Sequence, residues 1–500
     1  MKSLKAIPTL LTIGFVFLML CIYWILNFNN ILCLSPTGIH FTRQTDSLSF
    51  VYQYYWKHHL LFQPHVFSQD SKEGMAACEF PLLYYIVAKL YTVFGEREIV
   101  FRCLNLFIFT SSITILQTAI RPTGKIISYL IPIGITSSTI LLYYSCNFLP
   151  EIAAFSISLI AIAIIIIIKS IGYRPLYGWL IMVLLTFSTL TKITYGIYGI
   201  SIAILITYLF WTNQISRKKF TNYLVLITIH LIIVFAWYLY ASLYNKISGD
   251  SYFLLKARPI WETPRDTWTS SISFITTYWN SAFYHPALRY FFALSMIWNL
   301  FHYYKTNKSI FIFIISLKLG CLSILVLFSL HFVDHDYYFV CFIPTIAINL
   351  YLFFHSIRGH KYYYRSAILV FFVGILSSLI YADNKLDLRY FKNMESQQLI
   401  SSKLLNGARI LDSLGISKDS QILLLGDETK NGGLYTLRRN GTSIESKRQS
   451  SYDDLALNLS KTNDFAILID SAYQNVINRN SDKFKLFGRI NNQIIYKIEK

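Results

Sequence analysis

Charged side chains are scarce in this chain of 500 residues. Only 14% of its residues are Asp, Glu, Lys or Arg, against about 25% in an average soluble domain. Hydrophobic residues make up 54% and aromatic residues 17%. So little charge excludes a soluble globular protein, a disordered chain and a collagen-like chain.

Cysteine is also sparse and lacks pattern. The seven cysteines include no CxxC pair and no metal-ligand spacing, and none lies after Cys341. We interpret them as small apolar core residues.

The net charge is +19. Residues 1–382 hold 27 Lys or Arg and 12 Asp or Glu, whereas 383–500 hold 18 and 14. The basic excess lies with the apolar part of the chain, so we do not expect nucleic-acid binding.

Long windows without charge predict membrane-spanning helices, since about 20 apolar residues cross the hydrocarbon layer. After a basic head (Met1–Lys5), residues 6–42 carry no charge at all, which predicts an uncleaved first helix. The shorter segment 80–95 predicts an interfacial or partly inserted helix. About eleven spans are predicted: 7–28, 100–120, 126–146, 151–168, 175–191, 193–212, 221–244, 285–303, 309–331, 337–356 and 366–382.

Charge segregation predicts the orientation of these spans. Alternate short loops (121–125, 169–174, 217–219, 305–308 and 358–365) carry Lys or Arg and no acid. The positive-inside rule makes these loops cytoplasmic. All twelve acids of residues 1–382 then lie on the other face, together with the C-terminus.

Three large pieces are predicted on this outer face: the loops 29–79 and 245–284, and the tail 383–500. The tail contains short strand-like runs at 422–430, 464–470 and 493–498, and a helical pattern at 395–414. We therefore predict an all-α polytopic membrane domain over 1–382 and a small soluble α/β domain over 383–500. We place the protein in the inner (plasma) membrane, with its active site and the α/β domain on the extracytoplasmic side.

A multi-pass chain of this kind is a transporter, a channel or a membrane enzyme. Transporters usually carry charges and helix breaks inside their spans, but these spans are nearly free of charge. The polar residues instead collect in the outer loops, which favours an enzyme at the outer membrane surface. A transporter or flippase of lipid-linked glycans, and a ligase or polymerase of surface polysaccharide, stay as alternatives.

The first outer loop has the densest set of reactive side chains. Thr45-Asp46-Ser47 resembles a helix N-terminus, which predicts a helix to about His59 lying on the membrane, with Leu48 and Val51 on its apolar face. Asp46 is either a helix cap or a carboxylate that takes a proton from an acceptor. Glu79 brings a second carboxylate back to the membrane surface.

The motifs in this part of the chain resemble those of family 39 glycosyltransferases, the ArnT-like and protein-mannosyltransferase-like members of the GT-C class. The resemblance covers roughly residues 1–350 and rests on short motifs in the family's order. They are Arg43-Gln44-Thr45-Asp46-Ser47, Glu79-Phe80-Pro81-Leu82, Leu149-Pro150-Glu151, Leu190-Thr191-Lys192 and His335-Asp336-Tyr337-Tyr338.

The resemblance implies a GT-C fold and an enzyme that moves a sugar from a polyprenyl-phosphate donor to a lipid, glycan or protein acceptor. It also implies that Asp46 is the catalytic acid/base and that the reaction inverts the anomeric carbon. Glu79 is our second catalytic candidate. Physical reasoning agrees, because nucleotide sugars are cytoplasmic and an outward-facing site must receive its sugar through the membrane on a lipid.

The leaving phosphate needs cations. Family members often have Lys where this chain has Phe80, so that ligand is absent. Lys192 is the preferred substitute because it caps two spans at the outer surface; it is otherwise an interfacial anchor. The other substrate-binding candidates are Arg43, Lys57, Lys72, Arg102, His335, Asp336 and Tyr337. We expect no metal or other cofactor, although Asp334-His335-Asp336 resembles a DxD metal motif and leaves a divalent ion as an alternative.

Overall fold

The long apolar runs form helices throughout the first three quarters of the chain. The computed structural model describes residues 9–171, 175–254, 257–262, 264–279, 283–445 and 451–499. The helices of this part are α1 (Thr9–Ile25), α2 (Phe28–Ile31), α3 (Phe41–Lys57), α4 (Leu82–Phe94), α5 (Glu98–Ile120), α6 (Lys125–Thr136), α7 (Thr139–Ser145), α8 (Glu151–Ile171), α9 (Pro175–Thr191), α10 (Gly196–Trp211), α11 (Arg217–Ser248), α12 (Arg265–Phe274), α13 (Pro286–Thr306), α14 (Lys308–Leu327), α15 (His331–Asp334), α16 (Ile343–Ile357) and α17 (Lys361–Asp387).

A helix lies at each of the eleven predicted spans. Within the described residues, seven helices are long and apolar enough to cross a membrane, and α6 with α7 makes an eighth candidate that bends by 78°. Helices α1 and α9 are apolar but have 17 residues each. The prediction of a polytopic helical membrane protein is confirmed; the count of eleven spans stays a prediction. The basic head and Arg174 lie outside the described residues.

The first outer loop differs from its prediction in two ways. Helix α3 begins after His40, whose φ is 60°, so Asp46 lies in the second turn and does not cap the helix. Every side chain from Gln44 to Tyr54 is buried. The prediction that this helix lies on the membrane is therefore wrong, because protein covers the stripe that includes Leu48 and Val51.

The tail is a small α/β domain, as predicted. Its helices are α18 (Ser396–Ser402), α19 (Gly407–Ser413), α20 (Gly432–Leu437), α21 (Ser451–Ser460) and α22 (Gln474–Arg479). Its strands are β1 (Ile422–Leu425), β2 (Gly441–Ile444), β3 (Phe465–Leu468), β4 (Phe484–Ile490) and β5 (Gln493–Ile498).

The five strands form one sheet in the order β2-β1-β3-β5-β4. Strand β1 pairs parallel with both β2 and β3, and β5 pairs antiparallel with β3 and β4. All four residues of β1 are buried, as expected for a central parallel strand covered on both faces. The carboxyl end of β1 leads directly into the loop that precedes α20.

Internal packing divides the chain into two compact units. The helical unit comprises Met1–Cys33, Phe101–Tyr238 and Lys256–Asp387. The mixed unit comprises Leu34–Val100, Leu239–Leu255 and Leu388–Lys500. The first outer loop thus packs with the tail in the mixed unit. The predicted domain boundary between residues 382 and 383 stays a prediction.

Candidate active site

Asp46 is the most enclosed carboxylate of the first outer loop. Its side chain is fully buried on α3. The side-chain amide of Asn431 donates to Asp46 Oδ1 at 2.8 Å, and the hydroxyl of Tyr252 donates to Oδ2 at 3.1 Å. A carboxylate offers about four acceptor positions. These two donors therefore orient Asp46 and occupy only two of these acceptor positions.

Arg43 and Glu79 complete a group that we call the carboxylate cluster (Arg43, Asp46, Glu79 and Tyr84). The Arg43 guanidinium lies 3.9 Å from Asp46 Oδ2 and 3.5 Å from Glu79 Oε1. The Tyr84 hydroxyl donates to the same Glu79 oxygen. Two acids and one guanidinium are thus gathered in the mixed unit.

The backbone before Glu79 is held by the end of α11. The Asn245 side chain accepts from the Ala77 N–H at 2.7 Å and donates to the Ala77 carbonyl at 2.8 Å. Such a double hydrogen bond fixes both the position and the rotation of an extended segment. Asn245 therefore sets the place from which Glu79 meets Arg43.

Opposing effects act on the pKa of Asp46. Burial raises this pKa from 3.8 to about 6, while Arg43, Asn431 and Tyr252 favour the charged form and limit the rise. A base works best when its pKa is close to the pH at which it operates. Asp46 is ionised near neutral pH and still accepts a proton readily.

A second polar group, the lysine cluster (Glu151, Lys192, Tyr337 and Tyr338), lies in the helical unit. Lys192 Nζ lies 2.7 Å from Glu151 Oε1. The same ammonium lies 5.0 Å and 4.8 Å from the ring centroids of Tyr337 and Tyr338. Glu151 is the first residue of α8, as its motif predicted, and its negative charge suits a helix N-terminus.

Three further predicted residues also lie in the helical unit. Asp336 is fully buried and accepts a hydrogen bond from Tyr144. The His335 ring stacks on Tyr337 with 5.0 Å between centroids. Arg102 is fully buried, donates to the Cys146 carbonyl and lies over the Phe148 ring. These contacts give Arg102 the surroundings of a structural residue.

The remaining two candidate cations lie on the surface of the mixed unit. Lys57 ends α3 and pairs with Asp419 at 2.5 Å, where both side chains are largely exposed. Lys72 is exposed. Neither position belongs to the carboxylate cluster.

Sequence reasoning missed two residues that contact Asp46. Tyr252 comes from the second outer loop and Asn431 from the tail. The only signal for Asn431 was its place in an Asn-Gly-Gly sequence, which is typical of any turn.

Within the described residues, no group of three or more His, Cys, Asp or Glu side chains is arranged to hold a metal ion.

Several solved structures share the architecture of this chain. The ArnT structure from Cupriavidus metallidurans in the apo state superposes with a TM-score of 0.60 at 10% identity, covering 97% of each chain. The same protein bound to undecaprenyl phosphate gives 0.61 at 11% identity over 98% of each chain. The oligosaccharyltransferase of Archaeoglobus fulgidus in the apo form gives 0.59 at 10% identity, over 93% of this chain and 70% of that one.

This chain has the GT-C glycosyltransferase fold. The likeness covers nearly the whole chain and so includes the tail, which the sequence motifs did not cover. No protein-family model and no curated protein matches the sequence. The family resemblance drawn from short motifs is confirmed as a resemblance of fold.

Proposed function

We propose that this protein is a membrane glycosyltransferase that moves a sugar from a polyprenyl-phosphate donor to an extracytoplasmic acceptor. The observation that carries the proposal is the surroundings of Asp46: a buried carboxylate with two fixed donors, beside a guanidinium and a second acid. The related folds agree, since one ArnT structure is bound to undecaprenyl phosphate and an archaeal oligosaccharyltransferase structure holds a dolichol-phosphate.

In the proposed reaction, Asp46 takes the proton of an acceptor hydroxyl or amine. The acceptor atom attacks the anomeric carbon while the bond from that carbon to the phosphate oxygen breaks. The products are a glycosylated acceptor with inverted configuration and the polyprenyl phosphate. General-base catalysis of this kind contributes about 10²- to 10⁴-fold to a rate.

Arg43 and Glu79 act on the charges of this reaction. Arg43 offsets part of the negative charge of the two acids and, as a planar guanidinium, suits a phosphate oxygen. Glu79 holds Arg43 in place through its 3.5 Å contact. We further propose that Lys192 binds the donor phosphate, since its ammonium has three N–H donors and Glu151 orients it.

The test is to compare the surface glycolipids and glycans of a strain lacking this protein with those of its parent by mass spectrometry. A sugar missing from one product identifies donor and acceptor. The purified protein, supplied with that polyprenyl-phosphate sugar, should form the product, and Asp46→Asn should abolish it. Transfer of the lipid-linked sugar across a vesicle membrane with its glycosidic bond intact, and no product, would overturn the proposal in favour of a flippase.

A further inference from the structure

Residues 427–433 of the tail form a tightly bonded loop that joins β1 to the first turn of α20. Buried Asp427 accepts hydrogen bonds from the Thr429 backbone at 3.0 Å, the Thr429 hydroxyl at 2.8 Å and the Gly433 backbone at 3.0 Å. The Thr429 hydroxyl in turn accepts from the Gly432 backbone at 2.9 Å. The loop therefore has one fixed shape set by its own side chains.

Two glycines let this loop approach its neighbours closely. A Cβ added at Gly433 would lie 2.3 Å from Asp427 Oδ2, and one at Gly432 would lie 2.6 Å from the Thr429 hydroxyl oxygen and 3.0 Å from the Phe41 ring. Phe41 is the first residue of α3. The loop is thus packed directly against the helix that carries Asp46, and Asn431 immediately precedes the two glycines.

The side-chain amide of fully buried Asn431 can point in only one direction. Its Oδ1 accepts from the Ser68 backbone N–H at 2.9 Å and from the Ser49 hydroxyl at 3.2 Å. A backbone N–H can only donate, so the oxygen must face Ser68. The NH₂ group then faces Asp46 Oδ1 at 2.8 Å, and a carboxylate can only accept.

We propose that Asn431 is a positioning residue through which the C-terminal α/β domain holds the Asp46 carboxylate in its reactive orientation and favours its ionised form. The inference rests on the proposed function. It assigns to the tail a direct part in the reaction, in place of a role only in folding or acceptor binding.

The other polar groups that face Asp46 have different origins. Arg43 lies on the same helix, Glu79 precedes α4, and the Tyr252 hydroxyl comes from the second outer loop. Arg43 also contacts Glu79, so its charge is shared between two acids. Of the two acids, Asn431 donates to Asp46. Its amide oxygen is held by Ser68 and Ser49, so the NH₂ group is the part that faces the carboxylate.

The test compares Asn431→Ala and Asn431→Asp with the matched control Asn440→Ala, using the full-length purified protein. Asn440 accepts a hydrogen bond from Gln53 at 2.5 Å, so it also joins the tail to α3 but does not touch Asp46. Asn431→Asp keeps the acceptor for Ser68 and Ser49, but it replaces the donor to Asp46 by a second carboxyl group, whose charge opposes ionisation of Asp46. This variant keeps the test informative if Asn431→Ala does not fold.

We expect Asn431→Ala to lower kcat by about 10- to 100-fold, since the lost hydrogen bond is to a charged group. Asn431→Asp should lower kcat at least as much, because its carboxyl also repels the ionised form of Asp46. The KM for the donor and the KM for the acceptor should change little in both variants. The acidic limb of the pH profile of kcat should move to higher pH, because the ionised base is less stabilised. Asn440→Ala should leave both the limb and kcat close to those of the unaltered protein.

Two outcomes separate failure of this inference from failure of the proposed function. If Asp46→Asn abolishes transfer while folded Asn431→Asp keeps the kcat and acidic limb of Asn440→Ala, the inference is overturned and the function stands. If Asp46→Asn itself transfers sugar normally, Asp46 is not the catalytic base. The proposed function of the site is then wrong, and so is the role of Asn431.

Discussion

Lys192 Nζ lies 2.7 Å from Oε1 of Glu151, and the Glu151 side chain is only 1% exposed. The ion pair is therefore buried at the start of α8, with the rings of Tyr337 and Tyr338 beside the ammonium. A buried pair of this kind is costly to break from one side, because the remaining charge is left uncompensated. Because of this cost, stability measurements can separate a structural role of Lys192 from a role in donor binding.

The first prediction uses Lys192→Met alone and together with Glu151→Gln. The single change leaves buried Glu151 unpaired and should lower the free energy of unfolding by about 3 kcal/mol. The double change removes both charges and should recover most of this loss. Thermal unfolding in detergent measures the stability of each variant.

Donor binding should not recover with stability. If Lys192 holds the donor phosphate, KM for the polyprenyl-phosphate sugar stays raised about tenfold or more in both variants, while KM for the acceptor changes little. A double variant with both normal stability and a normal donor KM would show that Lys192 serves only the packing of α8 and α9.

The sequence predicts features that depend on local composition and misses those that depend on long-range pairing. Uncharged runs located the helices because a span needs continuous apolar residues. The contact of Asn431 with Asp46 joins residues 385 positions apart, so no local pattern could reveal it. The prediction that Leu48 and Val51 face the membrane is wrong for a related reason: an apolar stripe does not specify whether lipid or protein covers it.

The sequence also predicts some strands of the tail and misses others. Strands β1, β3 and β5 are rich in apolar residues and were predicted, whereas β2, with the sequence GTSI, was missed. Strand β4 was also missed, because Lys485 and Arg489 interrupt its apolar pattern at the edge of the sheet.

The second prediction concerns stability against pH for Asp46→Asn. The pKa of Asp46 is raised from 3.8 to about 6 by burial. Between these values the folded state keeps a proton that the unfolded state has lost, so the carboxyl destabilises the fold increasingly as pH rises, and fully above pH 6. Asp46→Asn should therefore be more stable than the unaltered protein at pH 8, by about 1–3 kcal/mol, and equal to it near pH 4.

Asp419→Asn supplies a control of opposite sign. The hydrogen bond and charge of Lys57 lower the pKa of this exposed carboxyl. Its small stabilising effect is present above pH 4 and is lost as pH falls further, so Asp419→Asn should be slightly less stable at pH 8. Melting temperatures across pH 4–8 measure both variants; an Asp46→Asn protein that loses stability at pH 8 would contradict the assigned pKa.

The third prediction concerns Gly433. The Cβ of Gly433→Ala would lie 2.3 Å from Asp427 Oδ2 and 2.6 Å from Leu424 Cδ1, so β1 or the loop must shift. We expect a loss of about 1–3 kcal/mol in the stability of the mixed unit, seen as faster proteolysis of the tail. Gly359→Ala meets no atom within 4 Å and should digest at the normal rate. Equal digestion of the two variants would show that residues 427–433 tolerate a shift.

The last prediction concerns the side of the membrane on which the mixed unit lies. Ser417 is an exposed residue of the same compact unit as Asp46. Thr306 is exposed at the end of α13, within the segment 305–308 that is predicted to be cytoplasmic. In a background where the exposed Cys33 and Cys103 are replaced by serine, a membrane-impermeant thiol reagent should label Ser417→Cys in intact cells. Thr306→Cys should react only after the membrane is opened. The reverse pattern would place Asp46 in the cytosol, where nucleotide sugars are available, and would remove the reason for a lipid-linked donor.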